Sequence, residues 1–308
     1  MEFRNSFLNI AIEVAKKNRQ RSESQLAMVD NFTMDAPILA GMPFQRASHS
    51  HHHVYSRLLN ADNLTRVDFD GKLPTLRAES QLESVPLTAF GGAFEFGEDL
   101  MKQTHGTPEA YIATQVPPVL RKTGMEFERS LFINNFLTKS IEYGTARSAG
   151  AGAGAAMVAI TWTAGEMTGL FSPLPYGSGE RFGQLFETDW ANGKQRHKLE
   201  EGMYGYAATI KVFLGVLLAN KQKIASLVNI TAPPSADLLA RFVSSVNPNA
   251  STRIYCSMAT KLSIAAQFAQ QTQGNNMVSV TGNGEVSVLG VPIVTSNNIP
   301  STLPHMTL

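Results

Sequence analysis

The chain has 308 residues, of which 43% are hydrophobic, and a formal net charge of +1. That length and hydrophobic fraction suit one large or two ordinary domains with a real core. The near-neutral charge excludes an overall basic field that would draw the chain to nucleic acid, and the single cysteine, Cys256, excludes an intramolecular disulfide framework and fits a reducing cytosol.

Two further features of the sequence indicate what surrounds the chain. Charged residues make up 17% of the chain, against a usual share of about 25%, which fits a protein whose faces are covered by neighbours. No segment approaches the roughly 18 consecutive apolar residues of a membrane span, and Glu2 and Glu13 interrupt any apolar stretch at the start. We expect a soluble chain that is cytosolic when made and has no membrane partner.

The first predicted element is an amphipathic helix, because apolar residues at positions 3, 7, 10 and 14 share one helical face. A basic cluster ends it: Lys16, Lys17, Arg19 and Arg21. Cations in a last turn favour the negative end of the helix dipole. A contact with a polyanion is the alternative interpretation.

A polar, strand-like stretch follows, from Ser22 to Ser84. Its pattern alternates to the dipeptide Asp70-Gly71, a hairpin turn signal. The predicted tip comprises Asp68, Asp70, Gly71 and Lys72. A two-stranded excursion of this kind cannot bury a core alone, so it must lie on its own body or on a neighbour.

A long helix is predicted next, with Thr107 as its cap and Pro108 at its first position. Its apolar stripe consists of Ile112, Val116, Leu120, Phe127 and Leu131. The pair Pro117-Pro118 and Gly124 should break or kink it. The Gly/Ala-rich joint at residues 150–154 precedes a strand, not a helix, so it favours a tight chain passage over a dinucleotide loop.

The second half of the chain alternates strands with helices. Strand patterns cover residues 156–162, 211–218 and 252–257, and helical patterns lie near Leu239 and from Met258 to Gln271. The closing segment, Gly290 to Ile293, is predicted to be a buried strand in which Val291 and Ile293 are well packed.

Several residues are of types that can carry chemistry. The tract from Ser48 to His53 resembles a metal site, but no Cys or acidic partner is spaced to complete one. Cys256 lies in an apolar strand, where an inert buried thiol is more common than a nucleophile. A solvated turn explains Glu95, Glu98 and Asp99 better than a catalytic carboxylate pair. We therefore assign no catalytic, cofactor-binding or metal-binding residue and expect that the protein is not an enzyme.

The succession of these elements resembles a known family. The strand at residues 252–257, the following helix and the closing Gly-Val-Pro-Ile segment are similar to the end of the axial domain in tailed-bacteriophage major capsid proteins, whose fold is shared with encapsulins and the herpesvirus capsid floor. Upstream, residues 156–162, Thr168-Gly169-Leu170, residues 211–218 and residues 224–230 resemble a strand, a Gly-Leu turn, a second strand and a helix closing on Asn-Ile.

The resemblance implies an α+β tailed-phage capsid fold. It comprises an N-terminal arm (1–41), an extended β-hairpin loop (42–89), a peripheral domain (90–224) with a kinked spine helix at about 107–137, and an axial domain with a return strand (225–308). One departure matters: only Pro300 to Leu308 follow the closing segment, where the family has further strands. Strands near Met157 and Val212 would then supply the missing part, in a rearranged connectivity.

The function that the resemblance implies is self-assembly. The chain would form hexamers and pentamers of an icosahedral shell, in a virion assembled in the host bacterial cytoplasm, that encloses double-stranded DNA. Partners would be the chain itself, a portal, a separate scaffolding protein, in some shells a decoration protein, and packaged DNA bound non-specifically.

The resemblance also suggests roles for individual residues. The hairpin tip would contact a neighbouring subunit, and the basic cluster would face the lumen and the DNA. In some shells an isopeptide bond joins subunits, for which Lys72 and Asn297 or Asn298 are available. Two alternatives stay open: an encapsulin-type nanocompartment shell, and, from a different class, a His-rich metal-binding protein or an uncharacterised hydrolase.

Overall fold

The structure is a computed structural model of the full chain. It describes residues 22–64, 66, 75–104, 106–172, 186–191, 195–199, 202–269, 277–281 and 284–308. The predicted amphipathic helix at the N-terminus with its basic cluster, and the predicted hairpin tip with Asp68, Asp70, Gly71 and Lys72, lie outside these residues.

The described residues form helices and strands in a mixed order, as predicted for an α+β protein. The helices are α1 (Ser22–Thr33), α2 (Pro37–Gly41), α3 (Glu98–Thr104), α4 (Pro108–Ser130), a π-helical segment (Leu131–Leu137), α5 (Thr138–Glu142), a 3-10 turn (Lys221–Lys223), α6 (Ala236–Ser244) and α7 (Met258–Ala269). The strands are β1 (Phe44–Arg46), β2 (His52–Ala61), β3 (Ala78–Pro86), β4 (Thr88–Gly97), β5 (Ala146–Ser148), β6 (Ala155–Thr161), β7 (Met167–Phe171), β8 (Glu187–Trp190), β9 (His197–Lys198), β10 (Tyr204–Leu218), β11 (Ile224–Ile230), β12 (Thr252–Cys256), β13 (Val278–Val280), β14 (Val286–Val288) and β15 (Val291–Thr295).

One sheet has seven strands in the order β13-β14-β15-β12-β6-β11-β5. Every residue of β6 and β11 is buried, because both faces of this sheet are covered. Alternate residues point to opposite sides: Met157 and Ala159 pack with α6 and α7, whereas Val158 and Ile160 pack with the long helix. The sheet therefore separates two hydrophobic clusters.

The second sheet has six strands in the order β1-β7-β10-β4, with β8 and β9 also paired to β10. Its longest member, β10, pairs antiparallel with β4 from Gly205↔Gly97 to Leu214↔Thr88. The strand at Val212 belongs to this sheet, whereas the strand at Met157 belongs to the sheet that contains the closing segment. The expected rearranged connectivity stays a prediction.

The long helix begins as predicted, since Thr107 accepts a hydrogen bond from the Ala110 N–H and Pro108 occupies the first turn. It does not break at Pro117-Pro118 but continues to Ser130 and then into the π-helical segment. The prolines leave the carbonyls of Ala113 and Thr114 without helical donors. Both residues are exposed, so water can satisfy them, and the buried stripe on the opposite face keeps the helix in place.

Two local expectations were wrong. Thr168-Gly169-Leu170 is not a turn but the middle of β7, where a Cβ on Gly169 would lie 2.6 Å from the Phe44 ring. The segment Ile224–Ile230 is not a helix but the strand β11. Short apolar runs fit a buried strand or a buried helix equally well by pattern alone, and here pairing with β6 decides the outcome.

Glycines explain two features of the chain path. A Cβ on Gly154 would lie 2.5 Å from the Ile230 carbonyl oxygen and one on Gly150 would lie 2.8 Å from the Asn229 carbonyl oxygen, which confirms the tight passage. Gly290 is in the left-handed region at φ 78° and is exposed. It therefore forms the turn before β15 and is not part of the buried strand.

The closing strand itself is as predicted, with Val291 at 4% and Ile293 at 6% exposure. The expected division between residues 224 and 225 remains a prediction, and the seven-stranded sheet takes strands from both sides of it.

Candidate functional site

The β2–β3 hairpin lies outside the hydrophobic core: none of the residues described in its two strands belongs to either core cluster. Its strands pair antiparallel from His52↔Pro86 to Ala61↔Ala78, and most of β3 is exposed. Its root is tied to the six-stranded sheet where the Ala47 N–H donates to the Phe171 carbonyl at 2.9 Å, and its two strands are closed at the root where the Leu87 N–H donates to the His51 carbonyl at 2.8 Å. The hairpin therefore leaves the body at a defined joint.

A polar triad lies across the hairpin. The Tyr55 hydroxyl donates to Glu83 at 2.5 Å and the Arg57 guanidinium donates to the other oxygen of Glu83 at 3.1 Å. The hydrogen bond from Tyr55 holds the pKa of the Glu83 carboxyl below its usual range, and partial burial raises the pKa of Tyr55. This cross-strand contact fixes the register of the hairpin.

A cavity of about 330 Å³ opens between the hairpin root, β10 and the long helix. Phe127, Leu131 and Val216 form apolar parts of its wall, and Glu83 and Lys139 contribute charged ones. None of its described lining residues is a cysteine or a histidine, so these residues offer no thiol–imidazole pair.

The histidine tract forms the turn that enters the hairpin. The rings of His49 and His52 stack with centroids 4.4 Å apart and an interplanar angle of 7°. The His51 ring contacts Phe213 of β10 edge-to-face at 5.3 Å. In the part of the chain that the structure describes, no three His, Cys, Asp or Glu side chains are grouped as a metal site requires. Within the turn, the tract makes the stacked pair of His49 and His52 and hydrogen bonds between Ser48 and the rings of His49 and His53.

Among the residues that the structure describes, the most strongly enclosed carboxyl group is that of Glu128 of α4, which has no exposed surface. One of its oxygens accepts the Ile38 N–H at 2.7 Å, and the other accepts the Ser296 hydroxyl and the Asn298 amide, the latter at 3.1 Å. Burial raises the pKa of Glu128, and these hydrogen bonds oppose the shift. Glu128 thereby ties α4 to the start of α2, whose cap residue Ala36 has no side-chain acceptor, and to the segment after β15.

Sequence reasoning missed Glu128, although a signal was present. Leu120, Gly124 and Glu128 are spaced at i, i+4 and i+8 and therefore share the buried face of the helix. A lone acid on an apolar stripe predicts a buried, hydrogen-bonded carboxylate. Its partners come from segments 90 and 168 residues away in sequence, and no local pattern identifies them.

Three other residues that the sequence offered as candidates for chemistry are buried or held in contacts within the fold. Cys256 is buried, and burial raises its pKa to about 12, which disfavours a nucleophilic thiolate. Glu98 pairs with Lys102 at 2.5 Å and with Arg196 at 2.8 Å, and the hydrogen bond from Lys102 lowers its pKa. Asn298 also donates to the Asp35 carbonyl at 2.7 Å. Lys72, its suggested cross-linking partner, lies outside the described residues.

Among the helices in the described ranges, none combines the length and apolar character needed to cross a membrane.

Solved structures of other proteins share this architecture. No family model and no curated protein sequence matches the chain. Solved structures do match. The capsid of bacteriophage JBD30 aligns with a TM-score of 0.57 at 8% identity, over 86% of this chain and 90% of that one. The structure of bacteriophage Epsilon15 aligns with a TM-score of 0.56 at 12% identity, over 85% of this chain and 86% of that one.

A procapsid structure of JBD30 also aligns, with a TM-score of 0.51 at 8% identity over 90% of this chain and 98% of that one. At such low identity the similarity concerns the fold. The chain has the capsid fold of tailed-bacteriophage major capsid proteins, as the sequence resemblance implied.

Proposed function

We propose that the protein is the major capsid protein of a tailed bacteriophage, which assembles as hexamers and pentamers into an icosahedral shell around double-stranded DNA. The observation that carries the proposal is the structural match to the JBD30 capsid over most of both chains. It is supported by a hairpin that has no core of its own, since a second copy of the chain could cover it.

The proposed role of each part of the chain follows the segments that we expect from the sequence. Residues 1–41 act as an arm and residues 42–89 as an extended loop, and both adapt to different positions in the shell. Residues 90–224 and 225–308 supply the peripheral and axial parts of the rigid body. Apolar burial between copies drives association, and the near-neutral charge of +1 limits repulsion among crowded subunits.

Further partners belong to the same proposal. The loop tip with Asp68, Asp70, Gly71 and Lys72 contacts a neighbouring subunit. The chain also meets a portal and a separate scaffolding protein, and in a decorated shell a decoration protein. Assembly takes place in the host bacterial cytoplasm, and the product is located in the virion capsid. The protein performs no catalysis and needs no cofactor.

The decisive experiment is expression of the full chain followed by size-exclusion chromatography and negative-stain microscopy. We expect hexamers or shell-like particles in the megadalton range. A single small closed oligomer that never forms shells, even with the other structural proteins of its virion, would contradict the proposal. Shells that assemble around a protein cargo and hold no DNA would instead favour the nanocompartment alternative.

The basic cluster needs its own experiment, in which Lys16, Lys17, Arg19 and Arg21 are all replaced by Gln. If the cluster contacts packaged DNA, shells should still form, but retention of DNA under heat and salt should fall because fewer phosphates are neutralised. A variant with the same number of Gln replacements at exposed cations of the body, Lys122, Arg129, Lys211 and Lys221, is the matched control. Equal DNA retention in both variants and the wild type would leave only the helix-dipole role.

A further inference from the structure

The turn that joins the body to the hairpin is held by histidine side chains. Between the end of β1 and the start of β2 the chain reverses over residues 47–51. His49, His51, His52 and His53 all lie at or next to this turn, where the Leu87 N–H closes the hairpin root onto the His51 carbonyl at 2.8 Å. A change in the charge of these rings would therefore act where the hairpin meets the six-stranded sheet.

One hydrogen bond in the turn depends directly on protonation. The backbone N–H of Ser48 donates to Nδ1 of His53 at 3.0 Å. Because a backbone N–H can only donate, Nδ1 must carry no proton, and the neutral ring must hold its proton on Nε2. A proton added to Nδ1 replaces the acceptor by a second donor, and this hydrogen bond is lost.

The same serine holds the turn through its side chain. Oγ of Ser48 accepts the Val54 N–H at 2.8 Å and lies 2.9 Å from Nδ1 of His49. Ser48 thus connects the turn to the first residues of β2 at two points. Loss of the bond to His53 removes one of them and frees the backbone of Ser48.

The surrounding charges do not compensate for a proton on His53. Burial, together with the nearby His49, lowers the pKa of His53. Across the hairpin, Glu83 is engaged by Tyr55 and Arg57.

Other elements around the root contribute cations or already paired groups. Lys139 of α5 lines the same cavity as Val85, which is the strand partner of His53. The Lys139 ammonium donates a hydrogen bond to Glu142 at 2.7 Å. Near Phe213, which contacts His51, β10 carries Lys211. The partly buried Tyr143 adds no charge at neutral pH, because burial raises its pKa further.

We propose that this turn is a pH-sensitive joint, in which neutral His53 keeps the hairpin root closed and protonation of His53 loosens it. The lowered pKa gives the direction: an open root binds the proton more tightly than the closed root, so the closed root is favoured above the ordinary histidine pKa of about 6.5. The preference for the closed root is lost as the pH falls through the lowered pKa of His53. The joint lies within one chain, so the proposal does not rest on the proposed function.

Hydrogen–deuterium exchange on the full chain tests the joint. Exchange of the Ser48 and Val54 amides is compared at about pH 7.5 and about pH 5 and expressed as protection factors, which correct for the intrinsic pH dependence of exchange. We expect protection at these amides to fall by about threefold to tenfold at the lower pH, the loss that one net hydrogen bond implies. Protection in the buried strand β6 should stay constant.

Three variants separate the joint from general acid sensitivity. His53→Asn places an amide oxygen near the position of Nδ1 and does not titrate, so protection should be high at both pH values. His53→Ala has no acceptor, so protection should be low at both. His305→Asn removes an exposed histidine elsewhere and should behave as the wild type. Constant protection in the wild type, or an equal acid-induced loss in His53→Asn, would overturn the proposal.

Discussion

The central strands β6 and β11 form one antiparallel pair and the hairpin strands β2 and β3 form another, but the two pairs are stabilised in opposite ways. All residues of β6 and β11 are buried between two hydrophobic clusters. Most of β3 is exposed, and the hairpin depends on ladder hydrogen bonds and the triad around Glu83. An isolated two-stranded hairpin is marginal in water, so the body supplies stability and the hairpin supplies an uncovered surface.

The largest expected effect comes from charging the body. Val291→Asp places a carboxylate in the cluster of α6, α7 and the seven-stranded sheet, and an unpaired buried carboxylate costs several kcal/mol. We expect loss of soluble protein, measured as the soluble fraction on expression. Pro292→Asp is the matched control, because this neighbouring side chain is exposed. Equal solubility of both variants would mean that the strand is peripheral to the core.

Removal of the Glu128 carboxylate should have the next largest effect. Glu128→Ala leaves the Ile38 N–H, the Ser296 hydroxyl and the Asn298 amide without this acceptor. At about 1–3 kcal/mol for each unsatisfied buried group, we expect the free energy of unfolding to fall by about 3 kcal/mol or more, as measured by urea denaturation of the unassembled chain. Glu126→Ala, an exposed change on the same helix, should have little effect.

The raised pKa of Glu128 gives this contact a pH dependence. A carboxyl whose folded pKa exceeds its unfolded value contributes proton-linked stability below the unfolded pKa and loses it as the pH rises through the folded pKa. Glu128→Gln does not titrate. The stability of the wild type relative to Glu128→Gln should therefore be constant below the ordinary glutamate pKa of about 4.3 and decrease as the pH rises above it. A constant difference in denaturation free energy would contradict the raised pKa.

A smaller effect is expected where two helices touch through their backbones. A Cβ on Gly124 of α4 would lie 2.0 Å from the Phe32 carbonyl oxygen of α1, so Gly124→Ala must push α1 away. Overpacking of this kind typically costs about 1–3 kcal/mol. Gly41→Ala meets nothing within 4 Å and is the control. Thermal denaturation should rank Gly124→Ala below the wild type and Gly41→Ala level with it or above it.

The smallest effect on folding is expected in the hairpin. Leu82 is 75% exposed on β3, so Leu82→Ser should change the free energy of unfolding by no more than about 0.5 kcal/mol. If a second copy covers this surface, the yield of particles should nevertheless fall, as counted by microscopy. Gln81→Ser, an exposed polar change beside it, should leave the yield unchanged. Normal particle yields from Leu82→Ser would separate the hairpin from assembly at this position.

The sequence by itself determined the elements that depend on local physics. The cap at Thr107, the strands around Met157, Val212 and Ile254, and the burial of Val291 all follow from spacing and capping chemistry. The succession of these elements was also sufficient to indicate the capsid fold, because that resemblance depends on the order of elements and not on any single chemical group.

Only the tertiary structure decided what depends on distant partners. Apolar runs as short as Ile224–Ile230 fit a helix or a strand, and pairing with β6 made this one a strand. The helix continues through Pro117-Pro118 because its opposite face is buried. Glu128 and His53 gained their roles from groups that folding brings near them, the first from 90 and 168 residues away and the second across a turn. Local sequence fixes propensities, whereas hydrogen-bond partners across the fold are set by packing.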